Sequence, residues 1–229
     1  MYSQFDARVE LTRFEKSVRK YEESEIQEGK ILFWGSSLFT RWSEAYDQIP
    51  LEQVILGKDG TAAAVNHGIG GATAEELLFY YPRMVQPWKP RALVIYAFPN
   101  DAAAGYSPFE VMALKAKLLD HARAHMPGIR FYLLGVNLRT KYLDEGGLWK
   151  TTENRMLQHN ALLEDYCRRH ADCTYLPIHQ SPLFFEKAED AGDYSKTRRD
   201  IFVEDGIHFN REGYALFTQF IRESLDDIL

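Results

Sequence analysis

Ile31-Leu32-Phe33-Trp34-Gly35-Ser36-Ser37-Leu38-Phe39 is a continuous apolar run that closes on a glycine and two serines, then passes into a helical pattern. A strand covered on both faces reads as an unbroken apolar run, which is the mark of a parallel sheet between helices. Working outward, four more runs read the same way: Ala62 to Asn66, Ala92 to Ala97, Arg130 to Val136 and Thr174 to Ile178. Helical patterns separate them, near Ser37 to Asp47, Ala74 to Met84, Pro108 to His125 and Thr152 to His170. A last helix is expected from Arg211 to Leu225, and one near Ala7 to Glu23 precedes the first strand. Strands alternating with helices predict a three-layer α/β/α domain, a doubly wound, five-stranded parallel sheet of the flavodoxin-like type. In such folds ligands bind beyond the carboxyl ends of the strands.

The chain of 229 residues is long enough for one full hydrophobic core, and it is read as a single domain over residues 1–229. Hydrophobic residues at 45% and charged residues at 26% are ordinary globular usage, which argues against disorder. With 27 Lys and Arg against 33 Asp and Glu, and no basic stripe, nucleic acid is not an expected partner. No run approaches the roughly 20 apolar residues that span a bilayer, and the N-terminus lacks an apolar signal core. The expectation is a soluble, cytoplasmic protein without a membrane partner; the sequence leaves its oligomeric state open. Cys167 and Cys173 are read as buried free thiols. The segments Leu138 to Lys150 and Gln180 to Glu204 are long for loops in a compact domain, which marks them as functional or mobile.

Polar chemistry collects in four short segments, three of them at strand ends. Gly35-Ser36-Ser37-Leu38-Phe39 places a serine among unpaired N–H groups at a helix start, where negative charge is favoured; a serine there can equally be a plain helix cap. In Asn66-His67-Gly68-Ile69-Gly70-Gly71-Ala72-Thr73 the glycines let backbone N–H groups approach a ligand. A dinucleotide fingerprint fails there, because Thr73 stands at its third glycine position. Phe98-Pro99-Asn100-Asp101 offers an amide donor for an oxyanion, or simply an Asx turn. In Asp205-Gly206-Ile207-His208 the spacing lets a carboxylate hold one imidazole nitrogen and leave the other free as a base. Asn210 follows as the expected cap of the last helix.

In this order the four segments resemble the SGNH hydrolases, the GDSL-like lipase and acylhydrolase family. The family's Gly-Asp-Ser-Leu block appears as Gly35-Ser36-Ser37-Leu38, its second block as Asn66 to Thr73, and its Asp-x-x-His block intact as Asp205 and His208. Its Gly-x-Asn-Asp block appears as Phe98-Pro99-Asn100-Asp101, with phenylalanine in place of glycine. The resemblance implies a serine esterase with Ser37 as nucleophile, His208 as general base and Asp205 orienting it. It further implies an oxyanion hole from the N–H groups of Ser37 and Gly71 and the Asn100 amide, with no cofactor and no metal. The implied substrate is a small-molecule ester; no long apolar helix reads as a lid, so a short-acyl or soluble ester is expected rather than a triglyceride, with an O-acylated carbohydrate among the candidates. Trp42, Tyr106 and Trp149 are candidates for a sugar-binding wall.

Phe98 is the substrate-binding candidate. Ahead of Pro99 it is expected to be extended, with its ring either walling the acyl pocket or packing in the core. Two other readings remain. One is a metal-dependent hydrolase built on His208, Asp205 and His67 or His179, for which the spacing is poor; His121 and His125 lack the intervening glutamate and read as a solvated helix end. The other is a binding module on the same fold.

Overall fold

The computed structural model describes residues 7–136, 139–141 and 148–229, with the backbone alone over 148–153. Five parallel strands, β1 (Ile31–Gly35), β2 (Ala64–Gly68), β3 (Ala92–Tyr96), β4 (Arg130–Leu134) and β5 (Cys173–Leu176), form one sheet in the order β2-β1-β3-β4-β5. Its helices are α1 (Glu15–Glu22), α2 (Ser37–Thr40), α3 (Leu51–Val54), α4 (Ala74–Met84), α5 (Pro99–Ala103), α6 (Pro108–His125), α7 (Leu148–Arg169) and α8 (Arg211–Ser224). The expected doubly wound parallel architecture is the one observed.

Strand periodicity divides the core in two. Leu32 and Trp34 of β1 and Leu93 and Ile95 of β3 face one side, against Val18 of α1, Leu77 of α4, Leu118 of α6 and Leu163 of α7. Ile31, Phe33, Val94 and Tyr96 face the other, against Phe39 of α2, Leu51 of α3 and Phe217 and Ile221 of α8. Every residue of β1 and β3 is buried, which is why neither strand carries a charged side chain.

Several boundaries differ from the sequence reading. β2 starts at Ala64 rather than Ala62, because Ala64 is the partner of Ile31 while Ala62 pairs with Leu56 in an isolated bridge. The helix expected from Ser37 to Asp47 is one turn followed by a 3-10 turn at Glu44–Tyr46, after which Asp47 takes φ 57°. α1 begins only at Glu15, and the chain before it instead sends the Arg13 guanidinium to Glu76 Oε2 at 2.8 Å and to the Gly71 carbonyl at 2.9 Å. α4 and α6 start where expected because each opens on a capping box, Thr73 with Glu76 and Ser107 with Glu110. Asn210 caps α8 through the Gly213 N–H.

The long segment from Gln180 to Glu204 is neither loose nor part of the cleft described below. It is a chain of 3-10 turns that buries Phe184, Phe185, Tyr194, Ile201 and Phe202, bridged at Phe185–Thr197 and Phe202–Phe209. Most of Leu138 to Lys150 lies outside the described residues. Cys167 and Cys173 are buried free thiols. Among the described residues no helix is long and apolar enough to cross a membrane.

Candidate active site

β1 lies between β2 and β3, so the chain leaving each of these strands opens onto one edge of the sheet. The crossing is tight. A Cβ at Gly68 would lie 2.3 Å from the Thr40 backbone nitrogen, so only glycine lets α2 pack over the end of β2. Asn66 fastens the same contact, its amide donating to the Phe39 carbonyl at 2.7 Å and its carbonyl accepting from the Gly68 N–H at 3.0 Å.

Ser36 is buried and makes no side-chain cap bond, which leaves Ser37 as the serine facing outward. Its Oγ lies 2.9 Å from His208 Nε2. His208 Nδ1 donates in turn to Asp205 Oδ2 at 2.7 Å. The other Asp205 oxygen accepts the N–H groups of Ile207 at 2.8 Å and His208 at 2.9 Å, which folds the four-residue segment into a turn and fixes the carboxylate relative to the backbone. Bonded this way, the imidazole carries its proton on Nδ1 and presents Nε2 as an acceptor to the serine hydroxyl.

Burial lowers the His208 imidazole below its ordinary value; the Asp205 carboxylate opposes this, while Arg41 and Arg139 add to it. Burial alone would raise the Asp205 carboxyl. The bonds from the His208 ring and from the two N–H groups outweigh that and hold it below the usual carboxylate value. Arg41 Nη1 stands 3.6 Å from Asp205 Oδ2.

Around Ser37 and His208 is an open cleft of about 410 Å³, lined by Thr40, Arg41, Tyr46, Gly70, Gly71, Asn100, Arg139 and Ile207. Gly71 sits at φ 86°, a conformation glycine holds without strain. The backbone N–H groups of Ser37 and Gly71 have no acceptor among the described residues. Asn100 lies on α5, a helical turn rather than an Asx turn, and donates one amide hydrogen to the Ala72 carbonyl at 2.9 Å, leaving the second. Asp101 beside it is buried and accepts from the Ala74 N–H at 2.7 Å. The third and second segments are thereby joined through side chains.

Phe98 departs from the extended backbone and from the substrate-binding role expected of it, and its ring takes the core alternative. Its backbone is at φ 151° and ψ −45° rather than extended, because the chain must turn directly from β3 into α5. Its ring does not line the cleft. It is buried and stacked on His159, with centroids 4.3 Å apart. Trp42 is likewise core, against Phe33 and Phe217, and Tyr106 is buried beside Glu75; the side chain of Trp149 lies outside the described residues. His67 donates to the Met84 carbonyl at 2.8 Å and packs edge-on to Trp88, and His179 is buried beside Tyr194, so neither is brought to His208. His121 and His125 are exposed near the end of α6.

Several residues at or behind the site were not singled out from sequence. Arg41 is four residues after Ser37, a spacing that returns to the same side of a helical pattern, so its place was readable. Arg139 falls in a segment marked only for its length. Lys115 is fully buried, and its Nζ donates to the Ala97 carbonyl at 2.9 Å and meets His159 Nε2 at 3.0 Å. It thus sits directly under the Phe98 turn. Burial pushes Lys115 down, Asp101 up and His159 down, all toward their neutral forms.

The sequence profile described as the GDSL-like Lipase/Acylhydrolase family matches residues 33–216. Among solved structures, a GDSL-like lipase from Bacteroides thetaiotaomicron superposes with a TM-score of 0.72 at 19% identity, over 96% of this chain and 100% of that one. An acetyl xylan esterase, AlAXEase, gives 0.63 at 16% identity, over 87% of this chain and 100% of that one. The psychrotrophic esterase EstA from a Pseudoalteromonas species, in a structure inhibited by monoethylphosphonate, gives 0.59 at 14% identity, over 87% and 98%. No curated protein matches this sequence. At these identities the structural likeness establishes the fold, and the profile establishes the family.

Proposed function

Because the chain belongs to the GDSL-like lipase and acylhydrolase family, we propose that it hydrolyses a carboxylic ester through an acyl-enzyme on Ser37. The observation that carries this reading is the 2.9 Å contact of Ser37 Oγ with His208 Nε2, on a ring held from behind by Asp205. Ser37 Oγ attacks the ester carbonyl carbon as His208 Nε2 takes its proton. The negative charge that forms on the carbonyl oxygen faces the Ser37 and Gly71 N–H groups and the second amide hydrogen of Asn100. The ester C–O bond then breaks, and the alcohol leaves with the proton from Nε2. Water repeats the sequence on the acyl-enzyme and releases the acid. Each oxyanion donor of this kind contributes about a hundredfold to a thousandfold in turnover.

Among the described lining residues Ile207 is the one aliphatic side chain, so a long acyl chain would find little apolar surface to cover it. This supports a short-acyl or soluble ester, a class that includes O-acylated carbohydrates.

A serine-directed phosphonate, followed by fragmentation of the labelled peptide, tests the reading against a panel of p-nitrophenyl acyl esters. The expected result is hydrolysis of short esters, insensitivity to chelators, and an adduct on Ser37 rather than Ser36. Loss of activity on chelation would favour a metal-dependent reaction. An intact fold that neither hydrolyses nor takes the label would favour a binding module.

A further inference from the structure

The charge of the cleft is opposite to that of the chain. The protein carries a formal −6, yet the described lining holds two arginines, Arg41 and Arg139, and no aspartate or glutamate. Arg41 is already engaged, with its guanidinium 3.6 Å from Asp205 Oδ2 and over the Tyr46 ring at 5.1 Å. Arg139 is not. Its Nε is buried, and no hydrogen-bond acceptor meets it among the described residues. A buried guanidinium N–H without a partner is costly to maintain, and the half-buried Arg139 side chain lines the cleft, where a small turn of the guanidinium would offer its N–H groups to an incoming acceptor.

We propose that the ester taken by this cleft carries a carboxylate, held by Arg139 with Arg41 beside it. This rests on the esterase reading of Ser37 and names the substrate class of that site. The planar guanidinium fork matches the two oxygens of a carboxylate, and its direction also fixes the rest of the ester relative to Ser37. Since Asp205 offsets one of the two arginines, one positive charge is left over, which suits a singly charged carboxylate better than a doubly charged phosphate. A cationic patch on an acidic protein also draws anions selectively to the cleft, an effect that salt weakens.

Two ester pairs separate the position of the charge: 4-nitrophenyl hydrogen succinate against its methyl ester carries it on the acyl side, and 3-acetoxybenzoate against its methyl ester carries it on the alcohol side. In one pair the wild-type kcat/KM should favour the anion at least tenfold, and added salt should shrink that ratio. Arg139→Gln should lower the ratio at least tenfold, and Arg139→Lys should recover part of it. The same esters are titrated calorimetrically into Ser37→Ala protein, where the anionic member should bind at least tenfold tighter and lose that margin when Arg139→Gln is added. Hydrolysis without charge preference overturns the carboxylate site and leaves the esterase standing. Selective binding by Ser37→Ala without wild-type hydrolysis overturns the esterase and leaves the carboxylate site standing. Equal binding of both members, or binding of neither, overturns the proposal whatever the turnover.

Discussion

The Phe98 ring lies flat on the His159 imidazole, 4.3 Å between centroids and 6° between planes, while its own backbone is held at φ 151°. A side chain that packs the core thus occupies a backbone position where glycine is the unstrained residue. Such positions cost about 1 to 3 kcal/mol and persist only when their surroundings over-determine them. Lys115, bonded to the carbonyl of Ala97 immediately before this turn and to His159 beneath the ring, is part of that surrounding.

Phe98→Ala should therefore lower stability by about 3 to 5 kcal/mol, the usual loss for a buried aromatic, without changing the ratio of butyryl to acetyl ester hydrolysis. Phe98→Gly should be the more stable of the two by about 1 kcal/mol, because glycine relieves the strained φ that alanine keeps. Urea unfolding reads the order. Alanine being the more stable would mean that the turn is unstrained.

Asp205→Asn should retain the fold and reduce kcat by about three to four orders of magnitude. An amide group facing His208 Nδ1 favours the tautomer with the proton on Nε2, which can no longer accept from Ser37. Turnover within tenfold of wild type would remove Asp205 from the reaction.

Activity should rise with pH through one titration, since neutral His208 is the base. Burial places that inflection below the ordinary imidazole value, so kcat/KM should level off at a lower pH than an unperturbed imidazole would allow. Arg41→Gln should move the inflection to higher pH, because the Arg41 charge helps to hold His208 neutral. A shift to lower pH would contradict the electrostatic account.

Acid should destabilise the fold from just below neutral pH. Burial holds His67 and His179 at about 4, against 6.5 for an unfolded chain. Between those values the unfolded state binds more protons, so stability falls as pH falls through that window, by about 3 kcal/mol for each group if the full difference is realised. Urea midpoints measured from pH 7 to pH 4 should show this slope, and His67→Gln should flatten it. An unchanged slope in that variant would remove His67 from the effect.

What the sequence determined by itself was whatever is written in local spacing. Apolar runs marked five strands, Asn210 marked the start of the last helix, and the three-residue step from Asp205 to His208 marked a turn that joins carboxylate to imidazole. Lys115 was legible in principle, as a lysine on the stripe shared by Val111, Leu118 and Ala122, all buried on one face of α6. Tertiary structure alone decided the rest. Ser37 and His208 are 171 residues apart, and their contact depends on β1 standing between β2 and β3 and on the packed turns from Gln180 to Glu204 that return the chain to that edge. The direction of the Phe98 ring and the place of Arg41 and Arg139 in one cleft follow from the same cause. Periodicity records whether a residue is covered; which distant residue covers it is set by sheet order and packing, to which no short stretch of chain has access.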